Sequence, residues 1–117
     1  MKNKDSTRYI ASIQEQKIAK EFGGKISPNS GASKFSKCDV VIDEADMVAE
    51  CKSSMTDKES FSIKKEWLIK QKNESFAMRK SNQVLCFRFG PEQEDYYIID
   101  DKLMRFLVEK LKEDFMS

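Results

Sequence analysis

The stretch CDVVIDEADMVAECK, Cys38 to Lys52, restricts the fold more than any other part of the chain. Two apolar runs, Val40-Val41-Ile42 and Met47-Val48-Ala49, flank the acid-rich residues 43–46. β-branched residues favour strands, and so short a connection joins antiparallel neighbours. The stretch therefore predicts a hairpin of strands 39–43 and 47–53. A two-residue turn at Glu44-Ala45 and a four-residue loop closing on Ile42 and Met47 give one register. Val41 then faces Val48, Val40 faces Ala49 and Asp39 faces Glu50. Glu-Ala is poor chemistry for a tight primed turn, and a three-residue loop with a bulge would shift this register.

Opposed residues share a face, with Cβ atoms about 4.5–5.5 Å apart. Side chains alternate along a strand, so Lys52 shares the face of Glu50. Asp39, Glu50 and Lys52 are thus expected to converge. Two opposed carboxylates repel unless something compensates. Mg²⁺ does so, because it binds through one or two carboxylates plus waters and substrate phosphates. The other reading is a surface hairpin in which Lys52 neutralises Glu50. Asp43, Glu44 and Asp46 at the tip read as a solvated turn.

The chain has no histidine among its 117 residues. That excludes a Ser-His-Asp triad, a Cys-His pair and a histidine base or zinc ligand. Any catalysis falls to carboxylates, lysines and hydroxyls, with a hard metal ion that takes oxygen ligands. Three cysteines, no apolar leader behind the basic N-terminus and no long apolar run predict reduced thiols in a cytoplasm, without a membrane span. The length suits one domain, residues 1–117.

The net charge of +1 conceals blocks: +5 over residues 1–37, −5 over 38–51, +5 over 52–89 and −4 over 90–117. An acidic knot between basic flanks suits a polyanion held against a metal site. Separate solvated faces would give the same pattern.

The remaining chain reads as a helix over 6–22, capped by Ser6 or Thr7 and ended by Gly23-Gly24, then a short strand at 25–27 and a loop at 28–37. A helix over 62–80, capped by Ser62, follows with Ile63, Trp67, Leu68 and Met78 as anchors. Strands at 83–89 and 95–100 lead into an amphipathic C-terminal helix with Leu103, Phe106, Leu107, Lys110 and Leu111 at helical spacing. Trp67 and Met78 read as core. The order predicts an α/β fold, a mixed β-sheet flanked by helices. Glu15 lies on the first helix's apolar stripe, Ala11–Glu15–Ile18–Phe22, where a carboxylate is costly unless paired or metal-bound; at the stripe's edge it would reach water. Ser30-Gly31-Ala32-Ser33 offers small residues and free N–H groups to a phosphate, or is a plain turn.

Glu15 in a first helix, SGAS in a loop, Asp39 at a strand start, ECK at 50–52 and SIKKEWL beyond resemble the PD-(D/E)xK nuclease superfamily. Within it, the order over residues 8–89 is similar to the small Holliday-junction resolvases of archaea and phages. The resemblance implies a restriction-endonuclease-like core and Mg²⁺, or Mn²⁺, held by Asp39, Glu50, the backbone carbonyl of Cys51 and Glu15. It implies that Lys52 orients water or stabilises the transition state, and that Ser30 lies near the scissile phosphate. It further implies a homodimer that cuts four-way DNA junctions. Lys25, Ser30, Gly31, Lys34, Lys37, Lys64 and Lys65 are the candidate DNA contacts. Cys38 departs from the family, which has Pro or Gly before the Asp. A restriction-like or repair nuclease acting on other DNA, or a non-catalytic DNA-binding protein with a nuclease-like fold, are the competing expectations.

Overall fold

The computed structural model describes residues 7–27 and 39–116. Helix α1 (Thr7–Phe22) leads to β1 (Lys25–Ile26) and then β2 (Val40–Ile42). A 3₁₀ turn (Asp43–Ala45) joins β2 to β3 (Met47–Ser53). Helix α2 (Lys65–Ala77) connects β3 to β4 (Asn82–Arg88), and β5 (Asp95–Ile99) precedes α3 (Asp101–Met116). The strands form one mixed sheet in the order β1-β2-β3-β4-β5. Among the described residues only β3 and β4 pair in parallel. Parallel neighbours need a crossover, and α2 supplies it. The α/β architecture with a mixed sheet and flanking helices is as expected.

The β2–β3 register is the expected one over Val40–Ala49, Val41–Val48 and Ile42–Met47. Asp46 completes the connection in the left-handed region, at φ 51°, and its N–H donates to the Asp43 carbonyl at 3.0 Å. Alternation then divides the sheet. Val40, Ile42, Ala49, Val84 and Cys86 meet Ile18 and Ala19 of α1 and Leu103 of α3 in the main core. Val41 and Val48 point the other way and meet Met78.

Helix α1 ends where Gly23 takes φ 68° and Gly24 N–H closes on the Ala19 carbonyl at 2.8 Å. A Cβ on Gly24 would lie 2.8 Å from the Val41 carbonyl oxygen, so this glycine lets the chain pass close to β2.

Three expectations need correction. Helix α1 buries Ile10, Gln14 and Ile18, whereas Ala11 and Glu15 are half-buried and Phe22 is exposed. Helix α2 begins at Lys65: Lys64 precedes it in extended conformation and no side chain caps it, so Ser62 does not. Its inward residues include Gln71 and Ser75, while Leu68 faces solvent. Gln71 Nε2 donates to the Val84 carbonyl and Ser75 Oγ to the Lys80 carbonyl at 2.8 Å, so α2 is fastened by hydrogen bonds where an apolar stripe was expected. On α3 only Leu103 is buried; Leu107 and Leu111 are exposed, and so is Phe106. Among the described residues no helix is long and apolar enough to cross a membrane.

Candidate functional site

Strand pairing between β2 and β3 stops at Val40–Ala49. Asp39, one residue further out, sends its N–H to the Ala49 carbonyl at 3.0 Å. Its carboxylate Oδ2 accepts the N–H of Cys51 at 2.8 Å. A side chain thus continues the ladder where the strand ends, and Asp39 is buried there, 8% exposed. Glu50, on the same stretch of β3, is largely buried. Burial, then the negative charge of Asp39, push its carboxyl up to about 7, with Glu74 adding and Lys52 opposing. The charge of Asp39 thus bears on Glu50, although the strand pairing ends at Val40–Ala49 and Asp39 bonds to Ala49 rather than lying in register opposite Glu50.

Lys52 is held from two sides. Its Nζ lies 3.8 Å from Glu50 Oε1 and 4.4 Å from the centroid of the Trp67 ring. Trp67 stands on the first turn of α2, and Lys64 Nζ lies 5.9 Å from the same ring. Helix α2 covers the sheet face that carries Glu50 and Lys52, and so brings Trp67 over the lysine. The sequence reading placed Trp67 in the core; the structure places it at the site.

Glu15 approaches from the other side. It stands on α1, which packs on the Ile18 face of the sheet. Its charge, like that of Asp39, bears on the Cys51 thiol. That thiol sits against the core beside Cys86, and a hydrogen bond with Cys86 together with burial raises its pKa. The side chain is thus inward, on the face opposite Glu50 and Lys52, as strand alternation requires. Among the described residues no group of three or more His, Cys, Asp or Glu side chains is gathered to hold a metal ion.

Gln14 is a second residue that sequence reasoning missed. It is fully buried, and its Nε2 donates to the Lys52 carbonyl at 3.1 Å and to Asp95 Oδ1 at 3.3 Å. It ties α1 to the backbone of the candidate lysine. Its neighbour Glu15 drew attention because charge is conspicuous on an apolar stripe, but the buried amide makes the tie to Lys52.

The candidate DNA contacts divide. Lys64 and Lys65 are exposed at the start of α2, near Trp67. Lys25 is spoken for: its Nζ pairs with Asp43 Oδ2 at 3.1 Å. Lys80 binds the same carboxylate at 2.7 Å, and hydrogen bonds from Lys80 and then Lys25 hold Asp43 below the usual carboxylate range. Asp46 Oδ2 accepts the Ser81 N–H at 3.1 Å. The hairpin tip is therefore a clasp between β1, β2 and the start of β4, while Asp43 and Glu44 stay exposed as the solvated-turn reading expected. Ser30, Gly31, Lys34, Lys37 and Cys38 lie outside the described residues.

Comparison of the chain with protein-family models, curated proteins and solved structures finds no match.

Proposed function

We propose that the chain is a metal-dependent endonuclease with a restriction-endonuclease-like core, acting as a homodimer on branched DNA such as four-way junctions. The observation that carries this reading is the buried Asp39 carboxylate fastened to the Cys51 N–H where β2 ends, its charge bearing on the neighbouring Glu50, with Lys52 alongside. Two carboxylates whose charges bear on each other, one of them pushed up to about 7 by burial and then by its neighbour, form a site that gains by taking a cation.

The donor set fits Mg²⁺ or Mn²⁺. Asp39 and Glu50 would be the ligands, with the Cys51 main-chain carbonyl and waters completing a hard, all-oxygen shell. Such an ion supplies Lewis-acid activation of water and neutralisation of charge at phosphorus. Glu50, whose carboxyl is pushed up to about 7, would be held in its ionised form by such an ion. Lys52 is kept at its post by the Glu50 carboxylate and the Trp67 ring, and serves as a fixed cation toward a phosphate oxygen. Lys64 and Lys65 extend the positive surface beside it. Two nicks across a junction need two such sites, and one copy supplies one.

One observation favours a second reading, a non-catalytic DNA-binding protein. Among the described residues Glu15 joins no metal-gathering group with Asp39 and Glu50. A single experiment separates the two. Supercoiled and cruciform DNA are incubated with the protein in Mg²⁺ or Mn²⁺, beside Glu50→Gln and Lys52→Ala. The nuclease reading expects cleavage by the wild type alone, with four-way junctions cut in preference to linear duplex. Equal behaviour of wild type and variants overturns the catalytic assignment. Equal cutting of junction and duplex overturns the junction preference and leaves a general nuclease.

A further inference from the structure

Helix α3 leaves most of its apolar side uncovered. Met104, Leu107, Val108, Leu111 and Phe115 fall within one ~100° arc at 3.6 residues per turn. Of these, Leu111 is 56% exposed and Phe115 is 87% exposed. The charges on α3 are taken up along the helix: Arg105 pairs with Asp101, Lys110 with Glu113 and Lys112 with Glu109. They leave the apolar arc bare.

Beside α3 lies an open groove of about 300 Å³. Leu103 and Leu107 of α3 form one wall, Ile18 and Phe22 of α1 the other, and Val84 and Ile99 lie on the sheet between them. Phe22 and Tyr97 meet edge-on within it, 5.9 Å between ring centres. The same molecule thus carries an unfilled apolar groove and, one to two turns along α3, unplaced apolar side chains.

We propose that a second copy of this chain fills the groove, through antiparallel pairing of α3 with the partner's α3 about a two-fold axis near Leu111. A helix rises about 1.5 Å per residue, so Leu107 and Phe115 are equidistant from Leu111. Two-fold symmetry then sets Phe115 of each copy over the Leu107 end of the other's groove. An isologous contact of this kind is self-complementary and closes at two copies. The area is sufficient. With roughly 150–250 Å² for each large aromatic side chain, the exposed parts of the α3 arc, Phe22 and Tyr97 offer about 600 Å² of apolar surface per copy. A standard interface buries about 800 Å² per partner, apolar centre and polar rim together. The inference names the surface that the two-copy reading of the enzyme lacks, and it rests on this surface rather than on the nuclease site.

Size-exclusion chromatography with light scattering over a dilution series tests it. The wild type is expected at twice the chain mass, and the double variant Leu111→Glu/Phe115→Glu at the single chain mass with unchanged circular dichroism. Leu111→Cys, on the axis, is expected to form a cross-linked dimer on oxidation, which the wild type run in parallel does not. A monomeric wild type at the highest soluble concentration overturns the proposal. So does a double variant that remains dimeric, or a dimer in which Leu111→Cys fails to cross-link. DNA cleavage is scored separately: a monomer that cuts DNA removes the interface and keeps the nuclease, whereas a dimer that never cuts does the reverse.

Discussion

At the scale of single residues, Lys52 is placed by two unlike contacts, a carboxylate and an indole face. A cation over Trp is stabilised by about 0.5–2 kcal/mol, most where water is excluded. Trp67 is half-buried, so the middle of that range applies. Trp67→Leu is therefore expected to lower the cleavage rate about ten-fold while leaving the KM for DNA near its wild-type value. Trp67→Phe, which keeps a ring face, should restore most of the rate. Equal losses in both variants would mean that the ring only packs. The site is half legible in the sequence for a physical reason. Strand alternation has a period of two, so the spacing of Glu50 and Lys52 alone fixes their common face. Asp39 follows once the register is known. Trp67 arrives from a different element, and no spacing in the sequence relates residue 67 to residue 52. Gln14 was hidden differently. A helical stripe spaced four, three and four tolerates a rotation of one residue, and only the folded structure, with Gln14 buried and bonded to the Lys52 carbonyl, reveals that Gln14 turns inward.

At the scale of elements, α1, β4 and β5 are locked by a buried ion cluster. Arg88 reaches Asp95 with Nε and Nη2, both at 2.8 Å, and donates through Nη1 to the Pro91 carbonyl at 2.9 Å. Lys17 of α1 reaches Asp95 Oδ2, the oxygen that also accepts from Arg88 Nη2, at 2.8 Å. Burial opposes ionisation of Asp95, but hydrogen bonds from Arg88 and Lys17 outweigh it and hold the carboxyl at about 2. The unfolded carboxyl sits near 3.8. The unfolded chain therefore binds the proton first, and the stabilisation is full above about pH 4 and is lost as pH falls through about 2. Asp95→Asn leaves Arg88 buried without its counter-charge, and is expected to cost roughly 3–5 kcal/mol at neutral pH. In urea unfolding, the gap between wild type and variant should hold from pH 7 to about 4 and narrow toward pH 2. A gap that stays constant down to pH 2 would remove the charge from the explanation. Strands and their pairing were readable because apolar runs and short turns are local signals. Clasps like this one, and like Lys80 and Lys25 on Asp43, join residues far apart in sequence, so composition alone reads them as solvated charge.

At the scale of the whole molecule, the charge blocks read from the sequence are redistributed by the fold. Lys25 and Lys80 are committed to Asp43, Lys17 to Asp95 and Lys52 to Glu50. Lys64 and Lys65 stand exposed at the start of α2, on the Trp67 side. A basic segment in the sequence therefore does not act as one basic surface, and the lysines differ in what they can give to a phosphate. Each phosphate neutralised lowers log K by about 0.9 per unit of log salt concentration on duplex DNA. Binding to DNA, measured without divalent metal to prevent cutting, is thus expected to weaken steeply with added salt. Lys64→Ala/Lys65→Ala should make the slope shallower by about 2 per copy. Lys25→Ala should leave it almost unchanged, because that ammonium is already paired within the protein. The comparison is internal to one fold and needs no knowledge of the preferred DNA. Equal changes of slope in the two variants would show that the pairing with Asp43 yields to DNA, and that the sequence blocks, rather than the folded surface, describe how the chain meets a polyanion.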